Sequence, residues 1–120
     1  MSEFKLIVAG GRDFDDMESL TNAIMYLANN TYRNVDISIV SGRAKGADSL
    51  GYSFAVSHNV KRYSFPADWN QYGKGAGFIR NKQMGDFSDG LLAFWNGSNG
   101  TKHMIEYMRS LNKPVHIVTY

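Results

Sequence analysis

Three short stretches hold most of the residues that could do chemistry: Gly10-Gly11-Arg12-Asp13-Phe14, Ser41-Gly42-Arg43-Ala44-Lys45-Gly46-Ala47-Asp48 and Asn96-Gly97-Ser98-Asn99-Gly100-Thr101. Small residues let an anion come close to the backbone. A turn that opens a helix leaves free N–H groups and the positive end of the helix dipole. Such turns suit phosphate, and equally they can be ordinary strand-to-helix corners that need glycine for their dihedrals. Ser41, Ser98 and Thr101 add hydroxyls, with Thr101 a possible cap. Arg12 can pair with phosphate through two parallel hydrogen bonds, while Arg43 can equally be a solvated loop charge. Asp48 could accept from ribose hydroxyls or be a first-turn acid favoured by the dipole. Asp13 can be only a turn residue bonded to its own backbone.

Pro66 to Gly75 is the longest irregular stretch, and it carries Trp69, Tyr72 and Lys74. A loop of this length inside a small chain is often functional. Trp69 suits a stacking wall for a base, and Tyr72 reads better as an anchor that folds the loop back. Trp95 can be rim packing. Arg80 and Asn81 fall in the first turns of a helix, where Arg80 could face the same rim or solvent. His58, His103 and His116 lack metal-ligand spacing, so no metal is expected. A Gly-x-Ser-x-Gly elbow, a Walker A lysine motif and a complete Gly-x-Gly-x-x-Gly fingerprint are all missing, which disfavours an NAD dehydrogenase.

The elements that would position these residues follow from the apolar pattern. Phe4 to Ala9, Asp36 to Val40, Arg62 to Phe65, Leu91 to Phe94 and Val115 to Thr119 read as strands. The mixed polarity of Arg62 to Phe65 suggests an edge. Between them, Met17, Leu20, Ile24 and Leu27 share a helical face behind a cap at Asp15 or Asp16, with Asn29 to Thr31 ending the helix. Further helices are predicted over 47–57, burying Ala47, Leu50 and Phe54, over 76–86, and over 102–111. Alternation of this kind predicts an α/β fold: a Rossmann-like, doubly wound, parallel five-stranded sheet with helices on both faces. All three glycine-containing turns then fall at carboxyl ends of strands, where ligands bind in such sheets.

The chain has 120 residues and 43% hydrophobic content, enough for one domain over 1–120 with a real core. It has no cysteine, which excludes disulfides, thiolate nucleophiles and Cys-ligated zinc. With 13 basic and 11 acidic residues its formal charge is +2, too weak to argue for duplex DNA. The first residues lack a secretory pattern and no apolar run is long enough to span a bilayer. A cytoplasmic protein is expected.

These residues, taken in order, resemble the YspA-like branch of the SLOG superfamily. The resemblance rests on Gly10 to Phe14, Ser41-Gly42 with Gly46-Ala47-Asp48, Phe65 to Trp69, Tyr72-Gly73-Lys74, Ala76-Gly77, Arg80-Asn81, and Gly97-Ser98 with Gly100-Thr101. It implies a Rossmann-like fold that binds nucleotides or nucleotide-derived ligands, in settings that include phage and nucleotide-signalling defence. More distant relatives are the cytokinin-activating phosphoribohydrolases, once called lysine decarboxylase-like, and the DNA-processing protein DprA, which binds single-stranded DNA. The hydrolase branch carries an arginine followed four residues later by methionine, matched by Arg80 and Met84, which turns Arg80 toward the ligand. It also carries Gly-Gly-x-Gly-Thr-x-x-Glu, and here Met104 stands at the glutamate position. Glu106 lies about 200° further around the helix. The expectation is therefore a non-catalytic binder, as sensor or sequestering protein, for a small phosphate- and ribose-containing ligand, with no cofactor. Gly10, Gly11, Arg12, Asp13, Ser41, Gly42, Gly46, Asp48, Trp69, Arg80, Asn81, Gly97, Ser98, Gly100 and Thr101 are its candidate ligand residues. Homo-oligomers are expected, as in relatives, and nucleic acid and membrane are not expected as partners. The alternatives are a nucleotide N-glycosidase, with a carboxylate such as Asp13, Asp48 or Asp68 stabilising charge on the ribose, and a DprA-like single-strand binder.

Overall fold

The computed structural model describes residues 2–120. Alternation along the first strand decides its architecture. Leu6 and Val8 point into one core cluster with Ile39, Leu92 and Phe94, while Ile7 and Ala9 point into a second with Val40, Leu91 and Ala93. A strand apolar on both sides must be covered on both sides. The covering elements follow in chain order. Strand β1 (Glu3–Gly10) leads to helix α1 (Met17–Tyr26), which runs on into a π-helical turn over Leu27–Thr31. Next come β2 (Asp36–Ser41), α2 (Ala47–Ser57) and β3 (Arg62–Ser64). Then follow α3 (Trp69–Tyr72), a 3-10 turn over Gly73–Gly75, and α4 (Ala76–Phe87). Strand β4 (Gly90–Trp95), helix α5 (Asn99–Ser110) and strand β5 (Val115–Thr119) complete the order.

All strand pairs are parallel and the order across the sheet is β3-β2-β1-β4-β5. Leu6 pairs with Ile39 on one side of β1, and Ile7 with Leu91 on the other. Helices α1 and α2 supply Leu20, Ile24, Phe54 and Ala55 to one face, and α4 and α5 supply Met84, Met104, Ile105 and Met108 to the other. Each buried Leu, Ile, Phe or Met among them contributes about 1.5–3 kcal/mol. The expected five-stranded parallel sheet with helices on both faces is the observed one, and β3 is at an edge. Since β1 leads outward to β2 on one side and neighbours β4 on the other, the strand order reverses between β1 and β4. The crevice at that reversal is where such sheets take ligands.

Two stretches differ from the sequence reading by more than a single residue at an end. The stretch from Pro66 to Gly75 is not irregular throughout, because Asp68 caps α3 by accepting from the Gln71 N–H at 3.1 Å. Helix α5 begins at Asn99 rather than Lys102, so Gly100 and Thr101 are helical, and Ser98 holds the cap position in place of Thr101. Asp16 caps α1 as anticipated, accepting from the Ser19 N–H at 3.0 Å.

Candidate functional site

The loop after β1 and the start of α5 form two walls of a cleft of about 510 Å3 at the carboxyl ends of the central strands. Gly10, Gly11, Arg12 and Asp13 come from the first loop, and Ser98, Gly100 and Thr101 from the second. Asp48 enters from the start of α2, and Arg80 and Asn81 from α4, with Trp69 from α3. Eleven of the fifteen candidate residues thus meet at one mouth.

The remaining four candidates support the cleft from outside it. The Ser41 hydroxyl is fully buried; it donates to the Asp48 carbonyl at 2.9 Å and accepts from the Arg43 N–H at 3.1 Å. Gly42 lies beneath Arg80, which donates to its carbonyl, and a Cβ there would meet the Asp48 carboxylate at 2.7 Å. Gly46 has φ +91°, and a Cβ would collide with the backbone of Gly11 and Arg12. Gly97 has φ +104° and turns the chain before α5 without lining the cleft. These residues build the turns that aim the others. Arg43 lies over the Tyr52 ring at 3.7 Å and donates to Ser64 at 3.3 Å, away from the cleft.

The anion-facing wall is the start of α5. Ser98 makes no side-chain bond to the amides of the first turn; its hydroxyl donates to Thr101 Oγ1 at 3.0 Å instead. The first-turn N–H groups are therefore left to the cleft. Asn81 braces this end, its Nδ2 donating to the Gly100 carbonyl at 3.2 Å and lying 3.2 Å from His103 Nδ1. Burial holds the His103 imidazolium below its ordinary pKa, with Lys82 adding to the effect and Glu106 opposing it. Across the mouth, Asp13 accepts from Asn96 at 3.2 Å and from the Tyr120 hydroxyl at 2.6 Å. Tyr120, whose ring packs edge-on against Phe14 at 5.0 Å, has its phenol pushed up to about 12 by desolvation and by that bond.

The floor is charged. Asp48 is 5% exposed, and burial pushes its carboxyl up to about 6, while Arg80 and the backbone N–H groups of Gly10, Ala44 and Asp48 itself pull it back down. Burial lowers the Arg80 pKa, Asp48 raises it, and Arg12 lowers it further. Arg80 also donates to Asn81 Oδ1 at 3.2 Å, which fixes its guanidinium. The far wall is apolar and aromatic: Trp69, 53% exposed, and Phe78, 48% exposed, with Gly77 between them and Met104 below.

The sequence gives no sign that Phe78 and Met104 line the cleft; it puts Asn96 in a rim turn without making it a ligand residue, and offers Lys74 only as a neighbour of Trp69. Tyr72 does not line the cleft, nor does it anchor the loop in the core, being 39% exposed. Trp95 packs against the core cluster under α4 and α5, its Nε1 donating to the Ser98 carbonyl at 3.0 Å. Glu106 is exposed and lies outside the cleft that Met104 lines. Among the described residues no cluster of His, Asp and Glu could hold a metal ion, and no helix is long and apolar enough to cross a membrane.

Residues 4–72, more than half of the chain, match the family described as YspA, cpYpsA-related SLOG. The chain belongs to this SLOG family. The Gene 61 protein of Mycobacterium phage D29 is 31% identical to this chain over 119 residues, a match that covers 92% of this chain and 93% of that protein. Among solved structures, DNA processing protein A from Helicobacter pylori superposes with a TM-score of 0.68 at 18% identity. The match covers 95% of this SLOG chain and 64% of that one, so this chain spans under two thirds of its length. At that identity the likeness is one of fold. That structure describes the single-stranded DNA binding mode of its own protein.

Proposed function

We propose that the cleft binds a nucleotide-derived small ligand and holds it without chemical change, so that the protein acts as a sensor or by sequestration. One observation carries the reading: phosphate-type donors, a buried carboxylate and an exposed aromatic wall line a single cleft. Phosphate would sit at the first turn of α5 and against Arg12, within reach of Arg80. Ribose hydroxyls would donate to Asp48. The base would stack on Trp69 beside Phe78. Met104 supports a non-catalytic role, because it places a thioether where the related hydrolases use a carboxylate. Homo-oligomer formation, to be measured by light scattering, belongs to the same reading.

A second reading is single-stranded nucleic acid, at odds with the sequence expectation. The fold neighbour's single-stranded DNA binding favours it, and an exposed Trp69 beside Lys74 and Arg12 is the pairing of stacking face and cation that such binding uses.

Mass spectrometry of small molecules released from the natively purified protein tests the choice, followed by titration with the compound found. A phosphorylated nucleoside recovered intact after incubation supports the binder. Free base accumulating on incubation, and lost in Asp48→Ala, replaces it with a glycosidase. Tight oligonucleotide binding that weakens steeply with salt replaces it with a strand binder.

A further inference from the structure

A second cleft, of about 390 Å3, lies on the other side of Arg12, between the loop after β1 and the first turns of α2. Arg12 and Asp13 line both clefts, so they form the ridge between them. The two halves of the ridge are held differently. The Asp13 carboxylate is fixed by Tyr120 and Asn96. Arg12 is exposed and, among the described residues, makes no hydrogen bond or ion pair. The second cleft adds Lys45, also exposed and unpaired among the described residues, together with Asp15, Ser49 and Leu50.

Resting on the nucleotide reading above, we propose that the site is two-lobed: the second cleft takes the distal phosphate and a second sugar of a diphosphate-bridged nucleotide. The ridge suits a phosphoanhydride, because one guanidinium can donate to oxygens of both phosphoryl groups from its fork. Lys45 then meets the distal phosphoryl as a point charge. A monophosphate in the main cleft leaves Lys45 without an anion. The outer group is a sugar rather than a second base, and the aromatic inventory shows why. Phe14, the aromatic ring lining this lobe, is 4% exposed and already stacked on Phe94 at 4.5 Å. It offers no free face to a base. What remains is hydroxyl chemistry. The Asp15 carboxylate accepts only, and the Ser49 hydroxyl spends its proton on the Ala44 carbonyl at 2.7 Å, which leaves its lone pairs to accept.

Calorimetric titration of the full chain with AMP, GMP, ADP, GDP, ADP-ribose and GDP-mannose tests the assignment. For the preferred base, the nucleotide sugar is expected to bind at least about tenfold tighter than the monophosphate. Lys45→Ala should remove most of that gain and leave monophosphate affinity in place, whereas Trp69→Ala should weaken both. Should the nucleotide sugar bind no tighter than the monophosphate, or Lys45→Ala weaken both alike, the two-lobed site is overturned while the nucleotide reading stands. If no compound of the six binds, the nucleotide reading fails and the second lobe fails with it.

Discussion

Asp48→Asn should change how stability depends on pH, by an amount the fold itself sets. In the folded chain burial lifts this carboxyl from its ordinary value of 3.8 to about 6. Below the lower value both the folded and unfolded chains hold the proton. Between the two, the folded chain keeps a proton that the unfolded chain has lost, so stability falls as pH rises, and it levels off above about 6. At about 1.4 kcal/mol per pH unit, the ionised carboxylate costs the native state about 3 kcal/mol at neutral pH. Most of that, about 2–3 kcal/mol, is lost between pH 4 and pH 7.5. Other groups titrate in the same range. Ser38 and Tyr63 hold Glu3 below its ordinary value, which adds stability as pH rises. Burial lowers His116, so protonating it at low pH costs stability. These contributions are common to wild type and variant and cancel in their difference. Urea unfolding followed by far-UV circular dichroism should therefore show the variant gaining about 2–3 kcal/mol on wild type between the two pH values, whatever their offset at pH 4. If Asp48 holds the ribose as proposed, the same variant should bind nucleotide more weakly, because an amide offers one acceptor oxygen where the carboxylate offers two. A difference between the two proteins that does not change with pH would refute the claim that burial raises the Asp48 pKa in the folded chain.

Other expectations follow from single contacts. Gly46→Ala should cost more than about 1–3 kcal/mol, since strain at φ +91° is joined by collision with the Gly11 and Arg12 backbone. Gly97→Ala, at φ +104° with open space around it, should cost only about 1 kcal/mol, and thermal melting of both variants checks the contrast. Trp69→Ala should leave the melting temperature almost unmoved, because the ring is half exposed, yet weaken nucleotide binding by about 1 kcal/mol in calorimetry. Asn81→Ala should lower stability by about 1–2 kcal/mol through the lost bond to the Gly100 carbonyl, measured by urea unfolding. Arg80→Ala removes a cation that pulls the Asp48 pKa down, so carbon-detected NMR titration should find that carboxyl titrating above about 6.

The sheet was legible because its central strands carry apolar residues on both faces, and Leu6-Ile7-Val8-Ala9 needs no context to be read that way. The mouth of the cleft was legible because glycine and hydroxyl residues cluster where strands end. What the sequence hid depends on distance along the chain. Ser41-Gly42 has the composition of a phosphate turn, but the Ser41 hydroxyl is consumed by Asp48 and Arg43, seven and two residues away. Phe78 reads as an unremarkable helical aromatic. It lines the cleft with Trp69, nine residues earlier, whose ring reaches back to Gly77 at the start of α4. Asp13 looked like a turn acid, and nothing local tells of Tyr120, 107 residues on. The second lobe was equally hidden, since Lys45 stands in the same turn as residues that face the first.

Strand β1 is paired on both flanks, so the corner holding Gly10, Gly11 and Arg12 rests on the best-anchored part of the sheet. Trp69 and Phe78, by contrast, hang from the passage that leaves the border strand β3, whose three residues pair on one flank only. A stiff end and a pliable end therefore share one hollow. On the proposed reading, substitutions around 66–78 should alter base preference while leaving phosphate affinity as it is.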